Sequence, residues 1–239
     1  LVTKKTNRFG RALPWLLGSL GVGALSFGLI GFAHTPAGMR AWGRLTGASC
    51  PFPTASKNPT PAELDRAYAQ AAQRVRGSTD SKTQFALGFS LLHTRRADVA
   101  AWAVEHRAEC TDQPDGLGMI CELADVAQLS HSGSSSGSAT LLLRFDVAHT
   151  LRSITASQQV QAADAALAAV TKIRDNLEAL AGPPEKTRGT FSLTYLTQGA
   201  LSQVGAEYHF KDYAAEFSAT DMGRLGYVHV SQTYTSLAD

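Results

Sequence analysis

The segment VGAEYHFKDYAAEFSATDMGRLGYVHVSQTYT, residues 204–235, alternates apolar and polar side chains with a period of two. That period places successive side chains on opposite faces of an extended backbone. It predicts strands over Val204–Lys211, Tyr213–Thr220 and Tyr227–Thr235, with turns at Lys211-Asp212 and at Asp221-Met222-Gly223. Thr190–Leu196 is read as a fourth strand of the same meander. Immediately upstream the period is helical: Val160, Ala163, Leu167, Val170, Ile173, Leu177 and Leu180 share one face until Gly182-Pro183-Pro184. A helix followed by neighbouring strands indicates an antiparallel sheet with helices on one face, an α+β class.

Further upstream, ATLLLRFDV (139–147) and Leu151–Thr155 read as a hairpin around Ala148-His149, and Met119-Ile120-Cys121 as a strand. Thr94 is the expected cap of a helix through about Arg107, with Val99, Trp102 and Ala103 facing a core, and Phe85–Phe89 is a short strand or an extended lead-in. Thr60-Pro61-Ala62-Glu63 combines a capping box with proline at the first helical position. The helix it starts carries Leu64, Tyr68, Ala71 and Val75 on one face and ends at Gly77.

The N-terminus has a different chemistry. No charge occurs from Ala12 to Met39, and Leu13–Ala33 (LPWLLGSLGVGALSFGLIGFA) is almost wholly apolar or glycine. As a helix it would reach about 31 Å, a bilayer core. Lys4, Lys5, Arg8 and Arg11 precede it, so the bias of positive charge places the N-terminus in the cytoplasm and the remainder in a bacterial periplasm. Cleavage after Gly31-Phe32-Ala33 as a signal peptide is the rival, against which stands an apolar stretch longer than the usual core of about 7 to 15 residues. Within the stretch, Ser19 and Gly23, and Ala24 and Gly28, stand four apart, a small-residue strip against which a partner helix can pack. The organisation expected is a basic tail (1–11), a transmembrane helix (12–38), a proline-rich extended linker (39–60), a subdomain of helices plus hairpin (61–156) and a helix plus strand meander (157–239).

Of the 22 basic residues, four precede the apolar stretch, which leaves 18 against 20 acidic ones in the rest. That balance does not suit a nucleic-acid-binding surface. Three cysteines without a Cys-x-x-Cys pair exclude a zinc ribbon and a thioredoxin-type dithiol. Cys110 and Cys121 bracket the turn Pro114-Asp115-Gly116, and in an oxidising compartment they are expected to form a disulfide that staples a helix end to a neighbouring strand. Cys50 is left over.

No catalytic constellation emerges, and no cofactor or metal is expected. Gly133-Ser134-Ser135-Ser136-Gly137 matches the nucleophile elbow in letters only, because a low-complexity run precedes it and a strand, not a helix, is expected after it. The seven histidines contain no His-x-x-x-His pair. His209 and His229, with Glu207 and Glu216, are the nearest approach to a metal or acid–base site, on strands where a solvated face explains them equally.

The order helix, cysteine-bracketed turn, strand and then RFDVAHTLRSI (144–154) resembles the BamE/SmpA-type lipoproteins and the repeats of β-lactamase-inhibitor protein. The residues that carry this are Thr94, Asp98 and Val99, then Phe145, Asp146 and Leu151. The hairpin-turn glycine of those folds is replaced by Ala148-His149-Thr150, and their lipidated N-terminal cysteine is absent. The resemblance implies a binding or scaffolding module, with Ser157–Thr235 as a divergent second copy. Two functions follow as expectations: an accessory subunit of an inner-membrane complex, partnered through its membrane helix and periplasmic domain, or a tethered periplasmic binding or inhibitor-like module.

Overall fold

The computed structural model describes residues 60–238 apart from 85, 124, 130–132 and 134–136. Eight strands form one antiparallel sheet: β1 (Glu109–Asp112), β2 (Gly118–Leu123), β3 (Ala139–Phe145), β4 (Leu151–Val160), β5 (Lys186–Arg188), β6 (Gln203–His209), β7 (Tyr213–Asp221) and β8 (Val228–Ser236). Their order across the sheet is β1-β2-β3-β4-β8-β7-β6-β5. Each half therefore runs from a short edge strand to a long central one, and the halves join where β4 pairs with β8 from Ser153↔Thr235 to Val160↔Val228. The edges are only four and three residues long, which limits the unpaired backbone they offer to other chains.

Alternation decides which side is core. Leu141, Leu143 and Phe145 of β3 are buried, as are Ile154 and Ala156 of β4, Tyr213, Phe217 and Ala219 of β7, and Val230 and Tyr234 of β8. Helix α3 (Ala163–Ala181) covers this face with Ala166, Ala169, Val170, Ile173 and Leu177 and stops at Gly182, whose φ is 89°. Val170, Ile173 and Leu177 of the expected stripe are buried and Ala163 and Leu167 pack at its margin, while Val160 belongs to the end of β4. Helix α2 (Arg96–Glu105) lies on the same side, with Val99 and Ala103 buried. Desolvation raises the Tyr208, Tyr213 and Tyr234 hydroxyls well above their ordinary ionisation range. Gly205 allows β6 and β7 to approach closely, since a Cβ there would stand 2.3 Å from the Phe217 carbonyl oxygen.

Several expectations need correction. The α+β class with a transmembrane helix and helices on one face gives way to a sheet-dominated chain: no described helix is long and apolar enough to cross a membrane, and Leu13–Ala33 lies outside the described residues. Nor do the helices share a face. Helix α1 (Pro61–Gln73) stands over the second face, its Tyr68 beneath the Arg144 guanidinium at 3.2 Å from the ring centre. The expected boundary between residues 156 and 157 falls inside β4, which continues to Val160. Thr190–Leu196 is not a strand. There Ser192 accepts a hydrogen bond from the Tyr195 backbone N–H and caps the short helix α4 (Leu193–Leu196). The sheet takes its eighth strand instead from Lys186–Arg188, where a run of charges hides the period. Leu87 and Gly88, read as part of a short strand or lead-in, form a turn. Thr94 accepts a hydrogen bond from the Ser90 N–H, while the start of α2 is fixed by the Asp98 carboxylate, which accepts from the Arg95 N–H.

Candidate binding face

The polar half of each strand's alternation converges on the second face. Thr140, Ser157, Ser231 and Ser218 form one row across β3, β4, β8 and β7, and Leu142, Thr155, Thr233 and Glu216 form the next. The Thr155 and Thr233 hydroxyls are 3.0 Å apart, and Thr140 donates to Glu122 at 2.9 Å. Short hydroxyl side chains keep the middle of this face flat while each offers a donor and an acceptor.

A charged network bounds the face on one side. Glu207 is 8% exposed and accepts a hydrogen bond from Arg188, with Lys186 Nζ at 3.6 Å and His209 Nε2 at 3.8 Å. Arg188 also reaches Glu216 at 3.4 Å, and His209 Nδ1 lies 3.1 Å from Glu185. Desolvation pushes the Glu207 carboxyl up. The hydrogen bond and charge of Arg188, with the charges of Lys186 and His209, outweigh it and hold the carboxyl below its ordinary value. The network joins three of the four residues considered from sequence as a metal or acid–base site. His229 is apart from it, on β8 beside Gln159 and Thr220. Among the described residues no group of three or more His, Cys, Asp and Glu is set to hold a metal ion.

Helix α1 bounds the other side. Thr60 and Glu63 close both halves of its capping box: the Thr60 hydroxyl accepts from the Glu63 N–H and the Glu63 carboxylate accepts from the Thr60 N–H at 2.8 Å. Past Gly77 the chain is clamped to the β6–β7 turn. Asp212 Oδ1 accepts from the Ser81 N–H at 2.8 Å, and Oδ2 from the Ser81 hydroxyl at 3.0 Å and Gln84 Nε2 at 2.9 Å. Burial raises the Asp212 carboxyl, and these donors together lower it below its ordinary value. Between α1 and the sheet lies a groove of about 710 Å3, lined by Tyr68, Ala72 and Val75 above and by Leu142, Arg144 and Thr155 below.

The structure brings Cys110 and Cys121 together as a disulfide with a Cα–Cα distance of 4.0 Å. The staple runs between directly paired residues of β1 and β2, not from a helix end to a strand, because Glu109–Asp112 is itself extended. It points into the core side, where Cys121 is fully buried. Ser19, Gly23, Ala24, Gly28 and Cys50 lie outside the described residues, as does Ser135. The hydroxyl rows and the groove were hidden in the sequence for one reason. Each strand contributes a single residue to each row, so no local motif records them, although the alternation names their members once the pairing is known. Compared with known proteins, the chain matches no family model, no curated protein and no solved structure.

Proposed function

We propose that this chain is an accessory subunit of a membrane-associated assembly, held at the bacterial inner membrane by its uncharged N-terminal stretch and docking a protein partner in the periplasm. The second face of the sheet carries this reading: it spans the central strands with hydroxyl side chains, and among the described residues α1 is the helix that stands over it. Small hydroxyls next to an ion network suit a partner recognised by hydrogen bonds and complementary charge. The Cys110–Cys121 bridge supports an oxidising compartment. The role asked of the face is binding rather than chemistry.

Purification of the tagged full chain in mild detergent tests this. A stoichiometric partner is expected, and Ser157→Arg combined with Ser218→Arg, which are separated by β8, should reduce its recovery by about tenfold while leaving the fold intact, as bulky charges introduced at a docking face do. Equal recovery from the variant removes the face from the interface. A chain recovered alone favours the tethered module outside any stable complex.

A further inference from the structure

Two adjoining turns at one end of the sheet hold leucines that neither burial nor backbone preference explains. Leu201, in the connection from β5 to β6, has a φ of 64° and is 70% exposed. A left-handed backbone is costly for leucine and free for glycine. The connection from β7 to β8 shows the ordinary solution, with Gly223 and Gly226 at its left-handed positions, yet Leu225 between them is 63% exposed. The two connections touch. The Leu201 N–H donates to the Asp221 carbonyl at 2.8 Å, the Asp221 N–H donates to the Ser202 carbonyl at 2.9 Å, and a Cβ on Gly223 would stand 2.7 Å from that of Ala200. Leu193, which begins α4 in the same connection as Leu201, is 44% exposed. Apolar side chains held in solvent, one of them on a strained backbone, point to a surface kept for a partner.

The charge around these leucines selects that partner. Residues 189–206 carry no charged side chain, and residues 222–228 carry Arg224 alone. The flanking Asp221 is turned onto its own turn, where its Oδ1 accepts a hydrogen bond from the Gly223 N–H at 2.8 Å. A protein interface is built on a broad face with a polar rim and many hydrogen bonds, whereas these leucines sit on the tips of turns. A lipid surface suits such tips: apolar side chains enter it, no neighbouring acid faces its phosphates, and a base can meet them. We infer that the tip carrying Leu193, Leu201 and Leu225 dips into the headgroup layer of a lipid bilayer, with Arg224 at the level of the phosphates. Three leucines orient a chain at a bilayer without holding it there, so the inference rests on the anchoring read for the N-terminal stretch. A sheet seated on this end stands upright on the bilayer and keeps its second face open sideways for docking.

The test reconstitutes the full chain in phosphatidylcholine vesicles that contain a phosphatidylcholine with a diazirine on its acyl chain close to the glycerol. Labelled peptides are mapped by mass spectrometry after irradiation. Labelling is expected on the peptides holding Leu193, Leu201 and Leu225, and not on the β1–β2 turn (113–117) at the opposite end of the sheet. Leu201→Gly combined with Leu225→Ser should lower tip labelling by about tenfold or more, since burial of one leucine side chain is worth at least a tenfold step. Glycine suits the left-handed backbone at 201, so the melting transition should be unchanged or raised. Peptides from residues 13–33 report the anchor separately: a labelled tip with that segment unlabelled removes the anchor and leaves the tip. An unlabelled tip overturns the inference whether or not residues 13–33 are labelled. Tip labelling no stronger than that of the β1–β2 turn, or undiminished in the double variant, would overturn it as well. A tip that lipid leaves unlabelled and a co-purified protein shields from hydrogen exchange would belong to that protein's interface instead.

Discussion

Glu207 shows how one side chain converts a sheet edge into an electrostatic feature. Its carboxylate sits on the second face of β6 opposite Lys186 of β5 and Glu216 of β7, and Arg188 lies between the two acids. The folded protein holds Glu207 below its ordinary value of 4.5, so the stabilisation is complete above that value and is lost as pH falls through the lowered one. Glu207→Gln should therefore lower stability by about 1 kcal/mol at neutral pH, toward the low end for a charged hydrogen bond because Arg188 is 38% exposed. Urea midpoints at pH 7 and pH 3 check this: the difference between parent and variant should shrink at the lower pH. A difference of the same size at both would mean that packing and not charge is what Glu207 supplies.

At the scale of elements, α1 and its clamp form the least embedded part of the described chain. A helix without buried residues depends on the contacts at Arg144 and Asp212 to stay at the sheet. Asp212→Ala removes three accepted hydrogen bonds and leaves the Ser81 N–H without its carboxylate partner. Local opening of residues 61–84 should become easier by about 1 to 3 kcal/mol, as for an unsatisfied partly buried donor. Hydrogen exchange should quicken in that segment and stay unchanged in β3 and β8. Because the Asp212 carboxyl is held below 3.8, the clamp is intact above that value and weakens as pH falls below it, so exchange in the parent should approach the variant's only under strong acid. Uniform acceleration across the sheet would show instead that α1 is cooperative with the core.

For the whole molecule, the junction of β4 with β8 joins strands β1–β4 and strands β5–β8 into one sheet. Ile154 is fully buried at that seam, opposite Leu143 on one side and Tyr234 on the other. Ile154→Ala should cost about 2 to 5 kcal/mol through lost transfer energy and the cavity it leaves. Circular dichroism and Tyr fluorescence should still report one coincident transition, because without the other half each central strand loses one of its two paired neighbours and becomes an exposed edge. Two separated transitions would mean that the halves fold independently.

What the sequence determined by itself is the local content. The capping box of Thr60 and Glu63, the stop of α3 at Gly182, the β3–β4 turn around Ala148-His149 and the strands β6 to β8 were legible, because caps, turns and a period of two are written in residues close together. Short charged strands escaped: Glu109–Asp112 and Lys186–Arg188 are extended only because a longer neighbour supplies hydrogen-bond partners. The tertiary structure alone decided that β4 lies against β8, that α1 crosses to the second face, and that hydroxyls from four strands form rows there. Each of these is a pairing between segments far apart in the chain, fixed by the burial of one sheet face against α2 and α3. Local propensity carries no record of which strand will lie beside which.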